Sequence, residues 1–86
     1  MPLQLRPDIA TTSTEDGLVL LDERTGRYWQ LNPTGAHVLH ALLAGRHPDR
    51  IATDLATRYH IDPQQTQRDV TALTDHLHIT NLVTTS

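Results

Sequence analysis

Prolines at 33, 48 and 63 limit what this chain can fold into more than any other feature. Proline lacks an amide N–H and is tolerated in the first turn of a helix but not in its middle. Each of the three stands ahead of an apolar pattern of helical period. Asn32 is a good N-cap for the first helix, and Ala36, Leu39, Leu42 and Leu43 recur at its spacing until Gly45 ends it. Pro48 and Asp49 open a second helix, with the acid near the positive end of the dipole. Its inner stripe reads Ile51, Leu55 and Tyr59, with Ala52 and Ala56 beside it. The segment His60–Asp62 interrupts. Asp62 caps a third helix, Pro63 takes its first position, and Gln65 stands where a capping box has Glu or Gln. Val70, Leu73 and Leu77 form the inner stripe of this helix, which runs to about Ile79. Asn81 stops it, and Leu82 and Val83 pack back.

The helices therefore start after residue 32, and the residues before them read as strands. The threonine-rich 10–14 is β-prone, Glu15–Gly17 marks a turn, and Leu18–Asp22 is a short apolar strand. Gly26 suits the left-handed position of a type I turn with a bulge, so Arg27–Leu31 returns as the second arm of a hairpin. Alternation places Arg27, Trp29 and Leu31 on one face, expected to be the core face, and Tyr28 and Gln30 on the other. Residues 1–10, with prolines at 2 and 7, are weakly patterned and either begin a strand or trail loosely. The fold class is α+β: three N-terminal antiparallel strands followed by three helices, like a winged helix-turn-helix with its sheet placed first. With 86 residues this is a single domain over 1–86, with little room for a deep catalytic cleft beside a core.

Chemistry is sparse. The six histidines include pairs at 37/40 and 76/78, but neither pair has a third ligand at motif spacing, so no metal and no cofactor is expected. No nucleophile has a base and an orienting group at recognisable spacing, so the chain is expected not to be an enzyme. Without cysteine it has neither disulfides nor thiolate sites. No apolar run approaches the roughly 20 residues of a membrane span, and the N-terminus lacks a signal peptide's apolar core. A cytoplasmic location is expected, with no membrane partner. Helices two and three could form a DNA-binding helix-turn-helix, and a winged-helix regulator is the alternative function. Charge argues against nucleic acid: the net charge is −3, and Asp62 to His78 carries Asp62, Asp69 and Asp75 against Arg68 alone.

Tyr28 and Trp29 raise a different possibility. With Tyr59 they are the only aromatics in the chain. One filling the core and the other covering the hairpin is a sufficient structural account of them. If Arg27–Leu31 is a sheet edge, however, it contains no proline or lysine to blunt its open backbone ladder. An extended peptide could add there as a further strand.

The segment Gly26–Gly45, with its Tyr-x-x-Leu-Asn hairpin end and Gly35 in the helix start, resembles the PqqD-like family of peptide-recognition domains. So do the Asp69–Val70 pair, Leu73, Leu77 and the terminal Leu82–Val83. The resemblance covers about Leu18 to Val83. It departs from the family at Asn81, usually glycine, and at Pro48, where a threonine-like cap is commoner. A free-standing chain of this size is most similar to members that serve lasso peptide biosynthesis. The resemblance implies a non-catalytic adaptor that binds the leader of a ribosomally made precursor peptide as a strand beside the third helix. It implies delivery to a separate leader peptidase, with the cyclase as a further candidate partner. A PqqD-like carrier for a radical maturation enzyme is an alternative with the same groove. Carried over to this sequence, the strand would pair with Arg27, Tyr28, Trp29, Gln30 and Leu31. Asp69, Val70, Leu73, His76 and Leu77 would be candidates for the helix wall. Tyrosine, proline and leucine anchors in the leader would suit shallow apolar pockets.

Overall fold

A computed structural model describes residues 3–85. The element order is β1 (Leu3–Leu5), β2 (Ile9–Thr14), β3 (Gly17–Asp22), β4 (Tyr28–Leu31), α1 (Pro33–Leu43), α2 (Pro48–Tyr59), α3 (Pro63–Ile79) and β5 (Val83–Thr85). The expected α+β order holds, but the strands divide into two sheets. The order β2-β3-β4 forms an antiparallel meander, and β1 pairs with β5 as a separate two-stranded clip. The weakly patterned N-terminus is thus tied to the C-terminus: Leu3 lies opposite Thr85 and Leu5 opposite Val83. Positions 1 and 2 of that segment lie outside the described residues.

Each helix begins as its proline requires. Asn32 Oδ1 accepts the Gly35 N–H at 2.7 Å, and Asp62 Oδ1 accepts the Gln64 N–H at 2.9 Å. The Asp62 cap thus works through Gln64, while Gln65 is exposed. His47 caps α2, its Nδ1 accepting the Asp49 N–H at 3.2 Å. At the other ends, Gly45 follows α1, His60 closes α2 in the left-handed conformation (φ 54°), and Asn81 (φ 60°) stops α3. The last turn of α3 is closed by Asn81 N–H to His78 O and Leu82 N–H to Leu77 O, the pattern of a Schellman end.

The core lies between the meander and the three helices. Leu18 and Leu20 on β3 meet Leu39 of α1, Ile51 of α2, Val70 and Leu77 of α3, and Leu82 after it, all essentially inaccessible to solvent. Burying each such side chain contributes roughly 1.5–3 kcal/mol. Tyr59, expected on the inner stripe of α2, is instead 50% exposed, because the helix ends there and turns away from the core. Arg27, expected on the core face, is exposed and lies just before β4. Its backbone still closes the hairpin, where Arg27 O accepts the Asp22 N–H at 2.8 Å and Gly26 (φ 76°) supplies the left-handed turn.

Candidate functional site

The phase of the β4 ladder follows from the hairpin closure. Bonded and non-bonded pairs alternate in an antiparallel ladder. Since Asp22 and Arg27 are a bonded pair, so are Leu20 and Trp29, and Leu18 and Leu31. The residues between them, Tyr28 and Gln30, turn their N–H and C=O groups away from β3. Among the described residues β4 has no strand on that side, because the chain's first strand pairs with β5 instead. The open edge therefore offers two donors and two acceptors.

Beside this edge lies a cleft of about 510 Å³ between β4 and α3. Its walls combine Gln30 and Leu31 of β4 with Asp69, Val70 and Leu73 of α3. Val38 of α1 and Leu55 of α2 also line it, as do Tyr59 and Ile61 from the α2–α3 joint. The first turn of α1 contributes Thr34 and Gly35. The lining is mostly apolar. Asp69 is its one carboxylate and is exposed, with no cationic partner among the described residues.

The structure divides the residues named from sequence. Gln30, Leu31, Asp69, Val70 and Leu73 come together around the cleft. Tyr28 lies on the outer face of the meander, 71% exposed and opposite Leu21. Leu77 is completely buried, so it supports the wall from beneath and presents no side chain to a guest. His76 is exposed outside the cleft lining, and its carbonyl accepts from Thr80. Arg27 and Trp29 line a second depression of about 480 Å³, together with Arg24, Ile79, Thr80 and Asn81. It lies at the hairpin end of β4 and the C-terminal end of α3; the two depressions share no lining residue, and together they are the two sections of the furrow that β4 and α3 border. Sequence reasoning placed Tyr59 on the inner stripe of α2 and Ile61 in an interrupting segment, and named neither for the site. Their signal was an aromatic at the last turn of a helix and an apolar residue stranded in a connection.

Asp22 anchors the hairpin that presents β4. Its side chain is buried, and its Oδ1 accepts the Arg24 N–H at 2.9 Å. Burial alone would raise its pKa. Hydrogen bonds from the Arg24 backbone and side chain, the charge of that guanidinium and a bond from the Thr25 backbone outweigh it. They hold the carboxyl below its ordinary value. Gly17 fixes the opposite end of β4: a Cβ there would overlap the Leu31 carbonyl oxygen, so only glycine lets the β4–α1 joint pass so close. Among the described residues no group of three or more His, Cys, Asp or Glu side chains gathers as metal ligands. No helix there is long and apolar enough to cross a membrane.

The fold recurs in solved structures. One, described as "Lasso peptide synthetase B1 complexed with the leader peptide", is 36% identical and superposes with a TM-score of 0.91 over 99% of this chain and 100% of that one. A second, "TbiB1 in Complex with the TbiA(beta) Leader Peptide", shares the fold at 23% identity and a TM-score of 0.82, with 96% of each chain covered. Among curated proteins none matches. The family model described as coenzyme PQQ synthesis protein D matches residues 17–83, from the first residue of β3 to the first of β5. With β3, the open-edged β4, the three helices and the furrow between them all inside that span, the chain belongs to the PqqD family.

Proposed function

We propose that this protein binds the leader segment of a ribosomally synthesised precursor in lasso peptide biosynthesis, by strand addition to the open edge of β4 beside α3. The observation that carries this reading is the unpaired ladder of Tyr28 and Gln30 running along an apolar cleft. It is supported by the leader complex described for the 36% identical relative. Charge disfavours the alternative of a winged-helix DNA-binding regulator, since α3 and its cap carry Asp62, Asp69 and Asp75 against Arg68 alone. Four backbone hydrogen bonds at roughly 0.5–1.5 kcal/mol net each give only a few kcal/mol. Two or three buried apolar anchors add roughly 1.5–3 kcal/mol each. Ordering a flexible leader opposes this by roughly 2–5 kcal/mol. Backbone pairing therefore supplies register, and the cleft supplies most of the affinity and specificity. The protein acts without catalysis, in the cytoplasm, as an adaptor that presents the precursor to a separate leader peptidase, with the cyclase as a further partner.

Titrating the isotope-labelled protein with a synthetic leader, taken from the precursor encoded nearest to it, tests the binding. Amide signals of residues 27–31 and of α3 should move, and unchanged spectra at saturating leader would overturn the reading. Delivery is tested separately: adding the protein should accelerate leader removal by the peptidase. Binding without acceleration would remove the adaptor step and leave recognition standing.

A further inference from the structure

The furrow has one unpaired charge in each section, and the two are opposite in sign. In the cleft section, Asp69 is the lone carboxylate among apolar neighbours. In the hairpin section, Arg27 has its backbone committed, with N–H to Thr25 Oγ1 at 3.2 Å and C=O to Asp22 N–H. Its guanidinium has no carboxylate partner among the described residues. Nearby Arg24 differs, since it is held by Asp8 at 3.5 Å and Asp22 at 3.6 Å. None of the hydrogen bonds at the C-terminal end of α3 involves Arg27: the carbonyls of His76, Leu77 and His78 accept from the Thr80, Leu82 and Asn81 amides.

Resting on the strand-addition reading above, we infer that the furrow selects a charge-polarised peptide: a basic side chain facing Asp69, then an acidic one facing Arg27, with apolar residues between. The order follows from strand direction. The meander is antiparallel throughout, and antiparallel pairing is the more stable per residue, so a guest runs opposite to β4. Its N-terminal half then lies beside Leu31 and the Asp69 section, and its C-terminal half beside Arg27. Leu31 and Arg27 are four residues apart, about 13 Å at ~3.3 Å per residue. Positions i and i+4 of the guest point to the same face, so both charges turn toward α3. A peptide with the reverse order meets Asp69 with its acid and Arg27 with its base. The two fixed charges thereby set direction and register, which a uniform backbone ladder cannot do.

Selection from a display library of short random peptides tests this, using the intact protein, Arg27→Glu, Asp69→Lys and the neutral pair Arg27→Gln and Asp69→Asn. Both residues are exposed, and circular dichroism checks that each variant is folded. The intact protein should enrich basic-then-acidic sequences at a spacing of about four. Arg27→Glu should convert the acidic preference to basic, Asp69→Lys should convert the basic one to acidic, and the neutral variants should lose the preference. In a selected peptide, neutralising either charge should weaken binding about 2- to 5-fold at low salt and hardly at all at high salt. Enrichment of apolar peptides without charge order, or the same order in every variant, would overturn the charge-polarity inference and leave strand addition intact. No enrichment by the intact protein would overturn both.

Discussion

The meander has two outer edges, β2 and β4, and they differ in what lies beside them. The ladder of β2 is open over a similar length: the bond from Glu23 N–H to Asp8 O fixes its phase and turns Ile9, Thr11 and Ser13 outward, and since Ile9 N–H already donates to Arg6 O at 3.0 Å, Thr11 and Ser13 are left open. Past Ala10, however, β2 is threonine and serine, exposed at every position, and none of its residues lines either section of the furrow. Along β4 the same backbone is flanked by Leu31, Val70, Leu73 and Ile61. On the proposed reading, unpaired N–H and C=O groups alone do not make a docking edge. What separates the two is the apolar wall that only β4 has, because α3 packs on that side.

The comparison can be broken most forcefully through α3. Leu77→Ala, which empties the floor beneath the wall, should cost about 2–5 kcal/mol of stability in denaturant unfolding. The folded fraction should bind peptide almost normally. Leu73→Asp, one turn earlier on the wall itself, should weaken peptide binding by roughly 10- to 100-fold, the worth of one apolar anchor. Because Leu73 is only half-buried, its melting temperature should fall far less than that of Leu77→Ala. If both variants lose affinity in proportion to stability, the wall and its floor are not distinct. On the edges themselves, Gln30→Pro removes an outward N–H without touching the β3 ladder and should weaken binding about 2- to 10-fold by calorimetry. Thr11→Pro, the matching change on β2, should leave binding unchanged. An equal loss from both would mean that the wall is not what distinguishes the edges.

The smallest effect concerns pH. The Asp22 carboxyl titrates below its ordinary value in the folded protein, so it binds fewer protons there than in the unfolded chain. Its contribution to stability is complete above the ordinary carboxylate range near pH 4 and is lost as pH falls through the lowered folded value. Acidification should thus loosen the β3–β4 turn before the β2–β3 turn, where Glu15 and Asp16 are exposed. Amide exchange at Arg24 and Gly26 should rise first. Asp22→Asn should abolish that acid-dependent difference.

Much of this architecture is legible in the residues because local chemistry dictates it. Asn32–Pro33 and Asp62–Pro63 set helix starts, Gly26 sets the hairpin, and period alone picks out Leu39, Ile51, Val70 and Leu77 as core. What escaped depends on distant parts of the chain. The β1–β5 clip joins two three-residue strands from opposite ends, each too short to show a pattern. Alternation put Arg27 with Trp29 and Leu31, but it could not show that Arg27 falls just outside the strand and is exposed. The stripe containing Leu73 and Leu77 likewise did not reveal which leucine faces the cleft and which the core. That depends on where β4 ends, and Gly17 decides it by admitting the Leu31 carbonyl.

The pairing of Leu3 with Thr85 has a topological consequence. Partners across an antiparallel ladder have Cα atoms about 4.5–5.5 Å apart, so the segment from Leu3 to Thr85 is very nearly a closed ring. A few residues of linker would complete the circle. New ends could then be cut at the exposed Glu15–Asp16 bend, giving a permuted molecule in which β4 and α3 remain in their original sequence order and packing.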